Sequence, residues 1–281
     1  MGLLNQSATN DTIKPLQEYQ DNSNEISISN EPPEIIFFDL ETTGFGSTAG
    51  ILQMAAGCNG SYFNKYVTPT TAINSKASEV HGLTSSCGEL FYHSKRVETL
   101  PLDCVMREFH TFLRSFGKPC LLVARNCNFD KPRLINAMAD TGTIPTFQKC
   151  IIGFSDTLPI FRSLLNRHTQ TSQVDLAKEF LTDVSTDEAH NAIEDVQILE
   201  KLVKYFKISD DTFIEKKQSI QAFLLDQDKK KRNARLRATT LGPLHKVISK
   251  NICDKLIEAS ITYDKFIDVF IAKGEPGVIA L

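Results

Sequence analysis

Ile35-Ile36-Phe37-Phe38-Asp39-Leu40-Glu41-Thr42-Thr43-Gly44, residues 35–44, is the stretch on which the fold turns. Four consecutive apolar residues between Pro33 and the Thr43-Gly44 turn read as a short central strand buried on both faces. Two acids close it. The two-residue repeat of a strand sends the Asp39 and Glu41 carboxylates to the same face. Thr42-Thr43-Gly44 then turns the chain away and lets backbone N–H groups approach a ligand. Taken alone, the pair reads as a strand end capped by solvated acids.

Outward from this strand, residues 51–58 and 62–68 read as two more strands around Asn59-Gly60, a strong hairpin signal. Pro69 stops the second run. Residues 100–116 have a helical pattern ended by Gly117-Lys118-Pro119, and 120–124 read as another buried strand. Residues 132–140 read as a helix opened by Asp130, and 151–154 as a fifth strand. Helices fill most of 156–207, with Ser172 and Asp187 as N-caps. Strands alternating with helices around one hairpin give an α/β class, a largely parallel sheet holding an antiparallel hairpin.

Three short stretches at element edges carry the chemistry: Asp39 and Glu41, then Asp130 in Asn126-Cys127-Asn128-Phe129-Asp130, then His190 and Asp195. Singly each has a plainer role, Asp130 as a helix cap and His190 as a surface or capping residue. On a continuous helix, His190 and Asp195 would lie about 140° apart at about 100° per residue. His190 is therefore expected in a loop or first turn, with Asp195 on the helix. Four acids gathered beside one histidine would cost several kcal/mol to bury without cations. They imply hard divalent metal ions and, with carboxylate ligands alone, phosphoryl chemistry.

The bulk properties fit a folded protein with appendages. The 281 residues carry a net charge of −3, so nucleic-acid binding would need a local basic patch rather than a global field. The seven cysteines form neither a Cys-x-x-Cys pair nor a zinc spacing, and read as reduced thiols of a nuclear or cytoplasmic, not secreted, protein. No apolar run is long enough to span a bilayer, and no signal-peptide pattern opens the chain. Residues 1–33 are polar and read as a disordered arm. Lys229-Lys230-Lys231-Arg232, with Arg235 and Arg237, reads as a phosphate-contacting strip, a nuclear localisation signal or a solvated helix face. After Gly242-Pro243, helices near 245–259 and 262–272 make 240–281 a small helical appendage.

Taken together, the motifs resemble those of the DEDDh 3′→5′ exonucleases, a family with a ribonuclease H-like fold. Their Asp-x-Glu-Thr-Thr-Gly is matched in full by 39–44. Their second motif is matched by Asn126 and Phe129-Asp130, with Arg125 where the family has His. Their His-x-Ala-x-x-Asp is matched by 190–195. Tyr66-Val67-Thr68-Pro69, Ala77 and His81-Gly82-Leu83-Thr84 are similar too, with His81 shaping a turn rather than acting as a catalyst. Within the family the chain is most similar to the three-prime repair exonucleases and, through Ala259-Ser260-Ile261-Thr262-Tyr263 and Lys273-Gly274-Glu275, to the exonuclease-like C-terminal domain of the promyelocytic leukaemia protein.

The resemblance implies a mixed five-stranded sheet with helices on both faces over an exonuclease domain at 34–208. A basic helical linker at 209–239 and the appendage at 240–281 would follow. It implies hydrolysis with two Mg²⁺ (or Mn²⁺) held by Asp39, Glu41, Asp130 and Asp195, His190 taking the proton of the attacking water. Leu40, Thr42, Thr43 and Gly44 would line the terminal-nucleotide pocket with Asn126, plain core packing being an equal reading of Leu40. The partner would be the 3′ end of single-stranded nucleic acid, DNA favoured over RNA, with a protein partner possible through the appendage. The competing readings are a non-catalytic exonuclease-fold scaffold and a hydrolase of small nucleotides.

Overall fold

The computed structural model describes residues 31–182 and 190–280. In chain order the elements are β1 (Glu34–Thr42), β2 (Ile51–Cys58), β3 (Ser61–Val67), α1 (Ser75–His81), β4 (Leu83–Ser86), β5 (Glu89–Tyr92), β6 (Lys95–Val97) and β7 (Thr99–Leu100). Then come α2 (Leu102–Arg114), β8 (Cys120–Ala124), α3 (Cys127–Asp140), α4 (Ile144–Gln148), β9 (Ile151–Asp156), α5 (Thr157–Leu164), α6 (Gln173–Phe180) and α7 (Ala192–Tyr205). The chain closes with α8 (Asp210–Glu215), α9 (Ile220–Thr240), a 3₁₀ turn (Gly242–Lys246), α10 (Lys250–Glu258) and α11 (Tyr263–Ile279).

β1 is the middle of the main sheet, whose order is β7-β3-β2-β1-β8-β9. It runs antiparallel to β2 and parallel to β8, with Phe37 opposite Gly57 on one side and Val123 on the other. Its apolar run is unbroken because both faces are covered. Ile36, Phe38 and Leu40 join one core with Val105, Met106 and Phe109 of α2 and Leu134, Ile135 and Met138 of α3. Ile35 and Phe37 join the other with Phe161, Leu176, Val196, Leu199 and Leu202 of α5 to α7. This is the ribonuclease H-like arrangement. The sheet has a sixth, two-residue edge strand, β7, beyond the five expected, and β4-β5-β6 form a separate small sheet. Short exposed strands such as Lys95–Val97 lack an apolar run that periodicity could detect.

The hairpin is as expected. Asn59 and Gly60 both have positive φ, 49° and 87°, the backbone a two-residue hairpin requires. Asp187 lies outside the described residues, and Asn191 caps α7, while Ser172 caps α6 by accepting the Asp175 N–H. The stretch expected to be a linker is anchored: Ile220 and Phe223 of α9 are buried in the α2/α3 core.

The distal half of α9 carries the basic strip and packs on α10. Lys229 pairs with Glu258 at 2.7 Å and Arg237 with Asp254 at 2.7 Å. Asn233, on the same helical face between them, is buried with its Oδ1 unpartnered. Lys230 pairs with Asp226. Half of the strip is thus internally neutralised. Leu241, Cys253 and Ile261 supply the buried apolar side chains of this region, and α11 contributes none. Among the described residues no helix is long and apolar enough to cross a membrane.

Candidate active site

Alternation along β1 puts Asp39 and Glu41 on the face of Ile35 and Phe37, toward α7. Asp195 meets them from the first turn of α7. The Asp39, Glu41 and Asp195 carboxylates each offer an oxygen, and the three lie within 4.8 Å of one another. His190 occupies the turn before the helix, exposed and with φ +72°, as the five-residue spacing required. Its backbone N–H donates to Asp195 Oδ2 at 3.2 Å.

Asp130 enters from the opposite layer and stands outside that three-acid set. It does not open its helix. α3 begins at Cys127, with Asn126 in the cap position and Pro132 inside the helix. The start moves forward because Asn126 takes a left-handed conformation and its N–H is held by Asp156 Oδ1 at 2.9 Å. Asp130 is thereby free to turn inward, only 2 % exposed, with Oδ1 buried and unpartnered.

All four acids hold their protons above the ordinary carboxylate range. Burial is the first cause in each. Asp39 is raised well above normal, further pushed by Asp130, Asp195 and Glu41 and partly relieved by Arg125. Glu41 is raised to about 9, with Asp195 and Asp130 adding to burial. Asp130 reaches about 8 despite the opposing Arg133 charge, and Asp195 about 6 despite His190 and Arg125. Crowded oxygen donors, one of them buried without a partner, suit a small hard divalent cation such as Mg²⁺ or Mn²⁺.

A stability profile follows. The unfolded chain loses these protons near the ordinary values of 3.8 and 4.5, whereas the folded, metal-free protein keeps them until about 6, 8 and 9. The folded state therefore binds more protons across that interval, and stability should fall as pH rises from about 5 to about 9. Saturating Mg²⁺ should flatten the profile. Melting curves across this range, with chelator and with metal, check it, and a metal-free profile without that slope would contradict it.

The motif residues around the acids are largely structural. Leu40 is a core side chain at 3 % exposure, which favours the packing reading. Thr42 Oγ1 donates to the Gly44 carbonyl at 2.8 Å, and Thr43 Oγ1 accepts the Gly50 N–H at 3.0 Å, so both hydroxyls brace the turn after β1. Gly44 is half-buried and Asn126 exposed. His81 shapes the structure as expected. It is buried, its Nδ1 accepts the Leu83 N–H, and its Nε2 lies 3.0 Å from the Thr42 carbonyl. That pattern places the proton on Nε2, and burial lowers its pKa.

Four bracing residues escaped the sequence reading. Gln53, fully buried in β2, donates to Asn191 Oδ1 at 2.8 Å and accepts the Ala192 N–H at 3.3 Å, which fixes the turn holding His190. A lone amide inside an apolar strand was a visible signal, since a buried polar group needs partners. Arg133 donates to the Phe45 and Gly46 carbonyls at 2.8 and 2.7 Å and ties the loop after Gly44 to α3. Gln173, described below, carried no such signal, and Arg125 stood out only as a departure from the family motif.

A family model described as exonuclease, RNase_T, matches residues 36–203. No curated protein matches the sequence. Among solved structures, product-bound exonuclease I is similar at 15 % identity and a TM-score of 0.49, over 66 % of this chain and 46 % of that one. The chain therefore spans less than half of exonuclease I. A full-length 3′-exonuclease is similar at 12 % identity and a TM-score of 0.47, over 66 % and 84 %. The ribonuclease domain of yeast Pop2 is similar at 15 % identity and a TM-score of 0.41, over 63 % and 76 %. With the family model covering more than half of its 281 residues and the acids Asp39, Glu41, Asp130 and Asp195 in place, the chain belongs to the exonuclease family, in its DEDD type.

Proposed function

We propose that the protein is a metal-dependent 3′→5′ exonuclease that releases nucleoside monophosphates from the 3′ end of single-stranded nucleic acid, DNA in preference to RNA. The observation that carries this reading is the convergence of Asp39, Glu41 and Asp195 within 4.8 Å, with the buried Asp130 carboxylate, whose Oδ1 has no partner, beside them. Such a group has no structural use that would offset its cost. The preference for DNA rests on the resemblance of the motifs to the repair exonucleases.

In this reading Asp39, Glu41 and Asp195 hold one cation and Asp130 contributes to a second position. Bound there, Mg²⁺ or Mn²⁺ supplies Lewis-acid polarisation of the scissile phosphate. His190, exposed beside Asp195, takes a proton from water at a ring nitrogen as the water oxygen bonds to phosphorus. The bond from phosphorus to the 3′-oxygen breaks, that oxygen regains a proton, and a 5′-mononucleotide and a strand one residue shorter result. The Gln53 brace on Asn191 keeps the His190 turn in place throughout.

The test is digestion of a 3′-labelled single-stranded DNA and a matched RNA, with Mg²⁺ and with chelator, beside Asp39→Ala. Metal-dependent stepwise shortening from the 3′ end, lost in the variant, is the expected result, faster on DNA. A folded protein that cleaves neither strand with Mg²⁺ or Mn²⁺ would instead support the non-catalytic scaffold.

A further inference from the structure

We propose that Gln173 is the positioning residue for Asp195, and that Arg125 acts through it as an outer anchor. The inference rests on the reading of Asp39, Glu41 and Asp195 as a cation site. The Gln173 carboxamide donates both of its N–H groups to Asp195, one to the backbone carbonyl at 2.7 Å and one to Oδ1 at 3.0 Å. The other carboxylate oxygen, Oδ2, takes the His190 N–H. Asp195 thus has a donor on each oxygen, which leaves the carboxylate one orientation and lone pairs to spare. Among the described residues, neither Asp39 nor Glu41 receives a side-chain amide in this way.

Gln173 is itself held. It is the first residue of α6, only 9 % exposed, and Ser172 caps the helix. One residue before that cap, the buried Thr171 carbonyl accepts two N–H groups from Arg125, from Nε at 3.1 Å and Nη2 at 2.6 Å. Arg125 directly follows β8, so its fork fastens the start of α6 to the sheet. Gln173 then fastens α6 to the first turn of α7. Only arginine presents two parallel donors in this geometry, since lysine keeps the charge without the fork. The departure from the family motif at position 125 thereby has a definite structural use.

Outer-shell partners that orient a ligating carboxylate typically change metal affinity about 10–100-fold when removed. The experiment is calorimetric Mn²⁺ titration of the metal-free full chain, wild type beside Asp39→Asn, Gln173→Met and Arg125→Lys, with melting curves in chelator. Methionine matches glutamine in length but donates no hydrogen bond. Gln173→Met should weaken Mn²⁺ binding about 10–100-fold while remaining folded, and saturating Mn²⁺ should restore most of the cleavage rate. Arg125→Lys should weaken binding in the same direction and less, and it carries the test if Gln173→Met does not fold. Wild-type Mn²⁺ affinity in a folded Gln173→Met protein would overturn the assignment, since a role in packing alone would move only the melting temperature. Wild-type affinity in Arg125→Lys would remove Arg125 from it. Failure of the wild type to bind Mn²⁺ any better than Asp39→Asn would overturn the cation site and this inference with it.

Discussion

Asp39→Asn should reduce cleavage on the order of 10³-fold or more and, in the same protein, raise the melting temperature measured in chelator. The first effect follows from the position of Asp39 among the other acids: its oxygen lies within 4.8 Å of those of both Glu41 and Asp195, so no neighbour can replace it. Loss of one member of a concerted catalytic set has effects on this scale. The second follows from the electrostatics. Asp39 is pressed upward in pKa by burial and by Asp130, Asp195 and Glu41, and asparagine keeps its shape without the charge. Relief on the order of 2 kcal/mol is reasonable for removing one buried acid that the fold forces to keep its proton above its ordinary range. At about 2–4 °C per kcal/mol for a domain of this size, that is roughly 4–8 °C. Scanning calorimetry in chelator and the digestion assay read the two effects separately. A variant that loses both activity and metal-free stability would show that Asp39 serves the fold and that the acids are not under strain.

The second large effect is at His190. Its replacement should cost about 10²–10⁴-fold in rate, the usual contribution of a positioned general base. The backbone dictates which variant is cleanest. With φ at +72°, His190 stands in the left-handed region, where asparagine is at ease and alanine pays a small strain cost. His190→Asn should therefore be slow at cleavage with an unchanged melting temperature. His190→Ala should be equally slow and slightly less stable. The N–H that donates to Asp195 Oδ2 belongs to the backbone and survives either change, so Mn²⁺ binding should persist. Either variant keeping more than about a tenth of the wild-type rate would exclude the base role.

The parts of the molecule that announce themselves are those where composition and spacing are rigidly coupled to geometry. β1, β2, β8 and β9 are legible because buried strands must be largely apolar on both faces, and β3 with its turn because few dipeptides adopt the Asn59-Gly60 backbone. The placement of His190 off the helix and Asp195 on it came from helical periodicity alone. Position 130 misled because an acid two residues before a proline resembles a cap, whereas the helix begins at Cys127, after Asn126, whose N–H is held by the Asp156 carboxylate. Gln173 and Arg125 were silent for a different reason. Their roles arise from hydrogen bonds across 22 and 46 residues of chain, and nothing local distinguishes them from ordinary polar side chains. In the motif around Leu40, Thr42 and Thr43, bracing residues and substrate contacts look alike from sequence, and both hydroxyls have bracing partners here.

The seam between α9 and α10 gives the protein a hierarchy of melting. Ion pairs at partly exposed positions are screened by salt, and an amide oxygen buried without a partner adds cost rather than cohesion. The outer helices are therefore joined to the rest by their weakest chemistry, while the inner half of α9 is rooted through Ile220 and Phe223 in the main core. The appendage should peel away as a separate cooperative unit before the sheet yields, its amides exchanging with solvent first. When it does, Lys229 and Arg237 exchange their carboxylate partners for free solution, and a helix that had been electrically balanced on that side becomes a strongly cationic spar.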